Sequence, residues 1–115
     1  MPRPTRAQVF KRCVSKLRKH APPFFPVTVR RGRPLTPKAL AECGLERVGG
    51  GWRFVIVIRK EARHQEAIDS LLHEWAHALS WSEGHPTLTD HDETWGVCYS
   101  KVYRVIWPEE GPKDG

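Results

Sequence analysis

The stretch LLHEWAHALSW, residues 71–81, constrains this chain more than any other, because it places two histidines and a glutamate inside an apolar run. Apolar residues recur three and four positions apart here and in the preceding turn, which predicts a buried helix over about 62–81. His73 and His77 are four residues apart, so on that helix they project from one side with Cβ atoms about 5 to 6 Å apart. Two imidazoles therefore meet on one helix face.

Two imidazoles at this spacing can bind one metal ion, since both ring nitrogens can reach it at the Zn–N distance of about 2.0 to 2.1 Å. Glu74 follows the first histidine, so its carboxylate can lean over the same ion and take a proton from water. This is the H-E-x-x-H arrangement of zinc hydrolases. The motif predicts His73 and His77 as zinc ligands and Glu74 as the general base. The alternative is a pair of hydrogen-bonded core histidines.

A third protein ligand is needed, because catalytic zinc sites have three and keep the fourth position for water or substrate. We predict His91 as that ligand, since a neutral imidazole suits zinc and this one would lie one turn before Trp95 on the inner side of the last helix. The residue pattern leaves four alternatives open: His85, Asp90, Asp92 and Glu93.

The first part of the chain predicts a helix followed by a strand. Thr5 and Gln8 form a capping box, and apolar residues then recur at helical spacing, which predicts a helix over about 6–20. Residues 26–31 alternate briefly like a strand. The segment RPLTPKALAECG, residues 33–44, is predicted to hold one turn of helix.

Two β-type runs flank three glycines within residues 44–61, which is the pattern of a hairpin. The second run is apolar on both faces, so we expect helices to cover this strand. Its edge over FVIVIRK, residues 54–60, is where we expect an extended peptide to bind by backbone hydrogen bonds.

The end of the chain predicts one more helix. Asp90 and Glu93 form a second capping box, and apolar residues at helical spacing then continue to about Pro108. The order of elements is therefore helix, about three strands, helix, helix. This order predicts a single α+β domain over residues 1–115.

The net charge of +6 is unevenly distributed. Residues 1–41 contain 11 basic and no acidic side chains, whereas residues 42–115 contain 8 basic and 13 acidic ones, a net of −5. Such a surface favours polyanions, so we expect non-specific DNA binding through residues 1–41. The alternative is a solvated surface that keeps the protein soluble. The basic residues expected to be exposed there are Arg6, Lys16, Arg18, Lys19, Arg30, Arg31 and Arg33.

The overall composition is that of an ordinary globular chain, with 39% hydrophobic and 28% charged residues. Three cysteines without a C-x-x-C pair give neither a disulfide framework nor a cysteine zinc site, so we expect a cytoplasmic protein, which we take to be a monomer. No apolar run is long enough to cross a bilayer, and the N-terminus lacks a signal-peptide core. We therefore expect neither membrane insertion nor secretion. The tryptophans do not alternate with basic residues, which predicts core or boundary positions rather than base stacking.

Two segments together resemble the SprT-like metallopeptidase domain, namely HEWAHALSW (73–81) and HDETWGVCYSKVYR (91–104). That family pairs an HExxH helix with a later helix that opens on a histidine followed by Gly-x-x-aromatic, and this histidine is the third zinc ligand. Asp92 stands where the family often has glycine. The resemblance is closest to short stand-alone versions in phage and bacterial genomes, and it covers residues 52–107.

The resemblance implies a zincin-like α+β fold with an N-terminal helix, a small three-stranded, mainly antiparallel sheet, the HExxH helix and a C-terminal helix. It implies that His73, His77 and His91 bind Zn²⁺ and that Glu74 is the catalytic base. Residues 52–107 would form the catalytic core of a peptidase acting on a protein or peptide substrate. Two other functions remain open, namely a DNA-binding protein with purely structural zinc and a zinc hydrolase of a non-peptide amide.

Overall fold

The computed structural model describes residues 2–84 and 87–108 of the chain. Their order of elements is the predicted one, and the α+β class is confirmed. The elements are α1 (Arg6–His20), β1 (Val27–Gly32), β2 (Ala41–Val48), β3 (Gly51–Arg59), α2 (His64–Ser82) and α3 (Glu93–Ile106).

Helix α1 begins and ends where the capping box and the apolar spacing predict. The side-chain oxygen of Thr5 accepts a hydrogen bond from the backbone N–H of Gln8, and the Gln8 side chain accepts one from the backbone N–H of Thr5. These two bonds satisfy N–H groups that the first helical turn leaves without partners. The inner face of the helix is buried through Cys13, Val14 and Leu17.

The three strands form a mixed sheet in the order β1-β3-β2. The prediction of a mainly antiparallel sheet is wrong, because one of the two strand pairs is parallel. Strand β2 is antiparallel to β3, whereas β1 is parallel to β3. Parallel neighbours need a connection of a dozen or more residues. Residues 33–50, which include β2, provide it here and allow β3 to lie between the two earlier strands.

The predicted hairpin is confirmed, and its first strand begins earlier than expected. The helical turn predicted within residues 33–44 is not formed. Residues 41–44 of this segment pair with residues 55–58 of β3 instead. Alanine, leucine and glutamate favour helix in this segment, but pairing with a buried strand overrides such preferences. The turn contains Gly49 with φ of 57°, a left-handed conformation that glycine adopts without steric cost.

Strand β3 is central, so the prediction that residues 54–60 offer a free edge for a peptide is wrong. Its backbone pairs with β1 on one side and β2 on the other. The edges of the sheet in the described part of the chain are therefore β1 and β2. The coverage expected for β3 is found on one face, where Phe54, Ile56 and Ile58 are fully buried.

Helix α2 covers the buried face of the sheet by packing against β2 and β3, and α1 and α3 pack against α2 in turn. Trp75 of α2 is fully buried, and its Nε1 donates a hydrogen bond to the carbonyl oxygen of Ala21, directly after α1, at 2.8 Å. Helix α3 ends at Ile106, before the predicted Pro108. None of the helices in the described residues has the length and apolar character needed to span a membrane.

Candidate metal centre

Three histidine rings converge where α2 faces the segment before α3. Nε2 of His91 lies 2.9 Å from Nε2 of His73 and 3.2 Å from Nε2 of His77. His77 is buried, His73 is half-buried and His91 is exposed, so the cluster opens to solvent on the His91 side. The structure therefore brings together the histidine pair of the HExxH helix and the predicted third histidine.

The spacing of these nitrogens fits one metal ion. Tetrahedral ligands at a Zn–N distance of about 2.05 Å lie about 3.3 Å apart, close to both separations in the cluster. Burial lowers the pKa of His73, and the neighbouring His91 lowers it further, so the neutral form that binds metal is favoured. Zinc, copper, iron and nickel all accept imidazole ligands, so the geometry indicates a metal site without fixing the metal.

The position of His91 depends on how α3 begins. Asp92 caps the helix, since its Oδ1 accepts a hydrogen bond from the backbone N–H of Trp95 at 3.0 Å. The predicted capping box between Asp90 and Glu93 is therefore wrong. Glu93 is the first helical residue, and the aspartate directly before it is placed to bond the N–H groups of the first turn.

Trp95 packs against all three histidine rings. Its ring centroid lies 5.0 Å from that of His73, 5.6 Å from that of His77 and 4.7 Å from that of His91. Its Nε1 donates to the carbonyl oxygen of His73 at 3.4 Å. The sequence predicts a core or boundary tryptophan, and the half-buried ring also orients the candidate ligands. The spacing of four residues from His91 to Trp95 is the sequence signal for this contact.

Within residues 2–84 and 87–108, the carboxylate alternatives for the third ligand lie outside the histidine cluster. Asp90, Asp92 and Glu93 contribute no ligand atom to the group that could hold a metal. The fourth alternative, His85, lies outside the described residues.

Glu74 is buried next to the first histidine, with 9% of its surface exposed. Burial raises the pKa of Glu74 to about 7, and the nearby carboxylate of Glu42 adds to the increase. In the described part of the chain, no hydrogen bond ends on the Glu74 side chain. A carboxyl group with a pKa near neutrality can both accept and donate a proton at pH 7.

An open cleft of about 360 Å³ adjoins the cluster. One wall is the face of α2 that carries His73 and Glu74, and the other wall is formed by residues 40 and 41, where the edge strand β2 begins. No local sequence pattern indicates this contribution of β2 to the cleft. The residues that line the cleft are Leu40, Ala41, Glu66, Asp69, Ser70, His73 and Glu74.

The basic residues of the first 41 positions form a second exposed surface. All seven basic residues that were predicted to be exposed are exposed in the structure. Three of them also make contacts within the protein: Arg18 donates to the first carbonyl of β1, Arg30 pairs with Glu46 at 3.5 Å, and Arg31 donates to three carbonyl groups at and after the end of β3.

A cleft of about 470 Å³ lies between the N-terminal ends of α1 and α2. Every ionisable residue in its lining is basic. Its lining residues are Arg6, Ala7, Phe10, Lys11, Arg31, Ala62, Arg63 and His64.

A scan against models of known protein families found no match to this chain, and searches of curated proteins and of solved structures found none either. A function for this protein is therefore proposed from the geometry of the site.

Proposed function

We propose that this protein is a zinc metallopeptidase with a zincin-like fold, similar to SprT-like domains. The observation that carries the proposal is the convergence of His73, His77 and His91 beside the buried carboxylate of Glu74. Two proposed ligands and the proposed base come from one HExxH segment, and the third ligand comes from the residue before the cap of α3. Three protein ligands with an adjacent carboxylate are the arrangement of catalytic zinc.

When bound, zinc would polarise the substrate carbonyl and lower the pKa of water in the site from 15.7 towards about 7. Glu74 accepts the proton of the attacking water and then passes it to the leaving amine. In the metal-free protein burial raises the pKa of Glu74 to about 7. The positive charge of bound zinc would lower that pKa, which favours the ionised carboxylate that accepts the proton.

Two neighbouring residues would hold the ligands in place. Trp95 contacts each imidazole and bonds the backbone of His73, so it restricts how the rings turn. Asp92 stands where SprT-like domains often have glycine. Because it caps α3, it fixes the backbone next to His91.

An extended peptide would bind along the outer edge of β2 rather than along β3. Strand β2 lies at the edge of the sheet and begins at Ala41, which lines the cleft together with His73 and Glu74. Backbone groups on a free strand edge can pair with an extended peptide. This edge is the feature that favours a peptide over another amide as substrate.

Two observations favour catalysis over a structural zinc site in a DNA-binding protein. Structural sites are usually closed by four protein ligands, whereas three ligand atoms converge among the described residues. A structural site also has no need for the buried carboxylate of Glu74, which makes no hydrogen bond there.

The test is cleavage of unfolded proteins by the zinc-loaded protein, with fragments identified by mass spectrometry. We expect fragments that disappear when zinc is removed by a chelator and return when zinc is added. Zinc binding without cleavage of any unfolded protein or peptide would contradict the peptidase proposal. Zinc-dependent release of amine from small amides alone would indicate a non-peptide amidase.

We also propose that the protein acts in the cytoplasm as a monomer. Its three cysteines are free, and Cys13 and Cys98 are buried. Free thiols persist in reducing compartments. Sedimentation of the purified protein would test the oligomeric state, and an elevated mass at micromolar concentration would contradict a monomer.

A second proposal is that residues 1–41 take part in non-specific DNA binding. The observation that favours it is the cleft of about 470 Å³ whose ionisable residues are all basic, Arg6 and Lys11 among them. Contacts of this kind go to phosphates, so they would position the protein without reading base sequence.

The variant for this test should spare Arg30 and Arg31, because they pair with Glu46 and hold three carbonyl groups respectively. Replacing both Arg6 and Lys11 with glutamate reverses two charges of the cleft. Each phosphate neutralised contributes about −0.9 to the slope of log affinity against log salt, so four contacts give about −3.6 and two give about −1.8.

The measurement is a titration of labelled duplex DNA at several salt concentrations. The matched control replaces Lys101 and Arg104, which are exposed on α3, with glutamate. We expect the control to keep the slope of the unmodified protein. Absence of binding at low salt, or equal slopes for both double variants, would contradict the proposed DNA contact.

A further inference from the structure

The cleft that adjoins the histidine cluster has one apolar wall and one acidic wall. Leu40 and Ala41 form the apolar wall, and Leu40 is 46% exposed. Glu66 and Asp69 project from α2 on the opposite wall. No lysine or arginine of the described residues lines the cleft, although the chain as a whole has a net charge of +6. The local charge is therefore opposite in sign to that of the chain.

The two carboxylates share a helix face with the first candidate ligand. Residues three, four and seven positions apart lie on one side of a helix. At about 1.5 Å per residue, Asp69 lies about 6 Å and Glu66 about 10 Å from His73 along the axis. An extended peptide advances about 3.3 Å per residue. These carboxylates are therefore two to three peptide residues away from the cluster.

Neither carboxylate is neutralised by a cation of the described residues. The salt bridges found there involve Glu46, on β2. Glu66 accepts a hydrogen bond from the backbone N–H of Arg63, and Asp69 accepts one from the side-chain amide of Gln65. These donors are uncharged groups, so no cation of the described residues offsets the charge of either carboxylate.

Glu74, the proposed general base, is a second observation that points to a ligand in this cleft. Its side chain lines the cleft, is about nine-tenths buried, and has no hydrogen-bond partner in the described part of the chain. A carboxylate in so little solvent is stabilised by a ligand that donates a hydrogen bond to it. Glu74 lines the same cleft as Glu66 and Asp69, so a ligand that contacts Glu74 would also lie beside the acidic wall.

We propose that this cleft is a specificity subsite that binds a lysine or arginine side chain of the substrate, within three residues of the scissile bond. The proposal rests on the proposed peptidase function. The aliphatic stem of such a side chain would lie along Leu40, while its charged end would pair with Asp69 and Glu66. Long basic side chains bind in this amphipathic manner because their stems are apolar and their ends are charged.

The experiment uses a pool of decapeptides randomised at every position and the zinc-loaded protein. Cleaved bonds are identified by mass spectrometry, and the residues around them are compared with those in the uncut pool. We expect lysine and arginine to be enriched within three residues of the cut on one side. Each carboxylate should contribute about fivefold in kcat/KM over a matched glutamine peptide, because a partly exposed ion pair contributes up to about 1 kcal/mol.

The variants are Asp69→Asn and Glu66→Gln, which keep the size of each side chain and its hydrogen-bond acceptor. Glu61→Gln is the matched control, because Glu61 is exposed and lies outside the lining of the cleft. We expect the double variant to lose most of the basic preference, up to about 25-fold if the two contributions add, while Glu61→Gln keeps it. Replacing both carboxylates with lysine should change the preference to glutamate and aspartate, a result that loss of folding cannot produce.

A binding measurement separates the subsite from catalysis. Zinc-loaded Glu74→Gln is titrated with a labelled lysine peptide and its glutamate counterpart, with and without Asp69→Asn. We expect the lysine peptide to bind more tightly, and Asp69→Asn to reduce that difference about fivefold. Cleavage without basic preference, or a preference unchanged in the double variant, overturns the subsite and leaves the peptidase in place. Absence of any cleavage of the pool by the unmodified protein overturns the peptidase, and the subsite with it.

Discussion

Replacement of Trp75 with phenylalanine removes one hydrogen bond and part of one ring from the core. Trp75 and Ala21 are both fully buried, and the indole Nε1 donates to the Ala21 carbonyl oxygen at 2.8 Å. A buried carbonyl left without a partner costs about 1 to 3 kcal/mol. The smaller ring leaves a cavity of about 40 Å³, which at about 24 cal/mol per Å³ adds about 1 kcal/mol. We therefore expect the free energy of unfolding to fall by about 2 to 4 kcal/mol.

The assay is urea unfolding of the metal-free protein, followed by circular dichroism. Trp52→Phe is the matched control, because Trp52 is 47% exposed on β3 and exposed substitutions usually change stability by less than about 0.5 kcal/mol. A loss below about 1 kcal/mol for Trp75→Phe, or equal losses for both variants, would contradict this prediction. Such a result would mean that the hydrogen bond from Trp75 to Ala21 contributes little to holding α2 against the end of α1.

Two further predictions concern the histidine cluster. Zinc content should fall from about one ion per chain to near zero in His73→Ala or His77→Ala and fall sharply in His91→Ala, while His64→Ala, outside the cluster, keeps it. Full zinc in His91→Ala together with loss in Glu93→Ala would assign the third ligand to the carboxylate. Without metal, two pKa shifts act in opposite directions: the raised pKa of Glu74 increases stability as the pH falls below about 7, whereas the lowered pKa of His73 decreases it below about 6.5, because the unfolded chain takes up the His73 proton first. The His73 contribution is therefore measured in metal-free Glu74→Gln, whose stability should decline as the pH falls below about 6.5. Urea midpoints measured from about pH 8 to 5 check this, and a dependence that is not shallower when His73→Gln is added to that variant would contradict it.

The parts of the fold that depend on neighbouring residues could be predicted from the sequence. Helix α1 has the predicted bounds because Thr5 and Gln8 determine its start locally. The face shared by His73 and His77 follows from helical geometry alone. The hairpin follows from its glycine turn, where Gly49 has the left-handed conformation.

The parts that depend on distant pairing could not be predicted in the same way. Ala41 and Glu42 favour helix, and only their partners in β3 make them part of a strand. The parallel pairing of β1 with β3 has no local signal, because it joins segments that are separated by the whole of β2. The acidic cleft was missed for the same reason, since Leu40 and Glu66 are brought to opposite walls only by the packing of β2 and α2.

The start of α3 was predicted at the wrong residue for a different reason, because two residues could cap the helix. Asp90 and Asp92 both have the short acceptor side chain that caps a helix, and the presence of Glu93 three residues after Asp90 favoured the wrong one. The third histidine was nevertheless the one that joins the cluster, because its neighbour Trp95 lies one turn further along α3 and faces α2.

The most direct test of the proposed peptidase is kcat/KM of zinc-loaded Glu74→Gln on a peptide that the unmodified protein cleaves. The amide keeps the size of the side chain but cannot accept the proton of water. We predict unchanged zinc content and fold, with kcat/KM reduced by at least the factor of about 10² to 10⁴ that base catalysis contributes. Glu61→Gln, an exposed site outside the cleft, should retain full activity. Turnover by zinc-loaded Glu74→Gln at the rate of the unmodified protein would contradict the account.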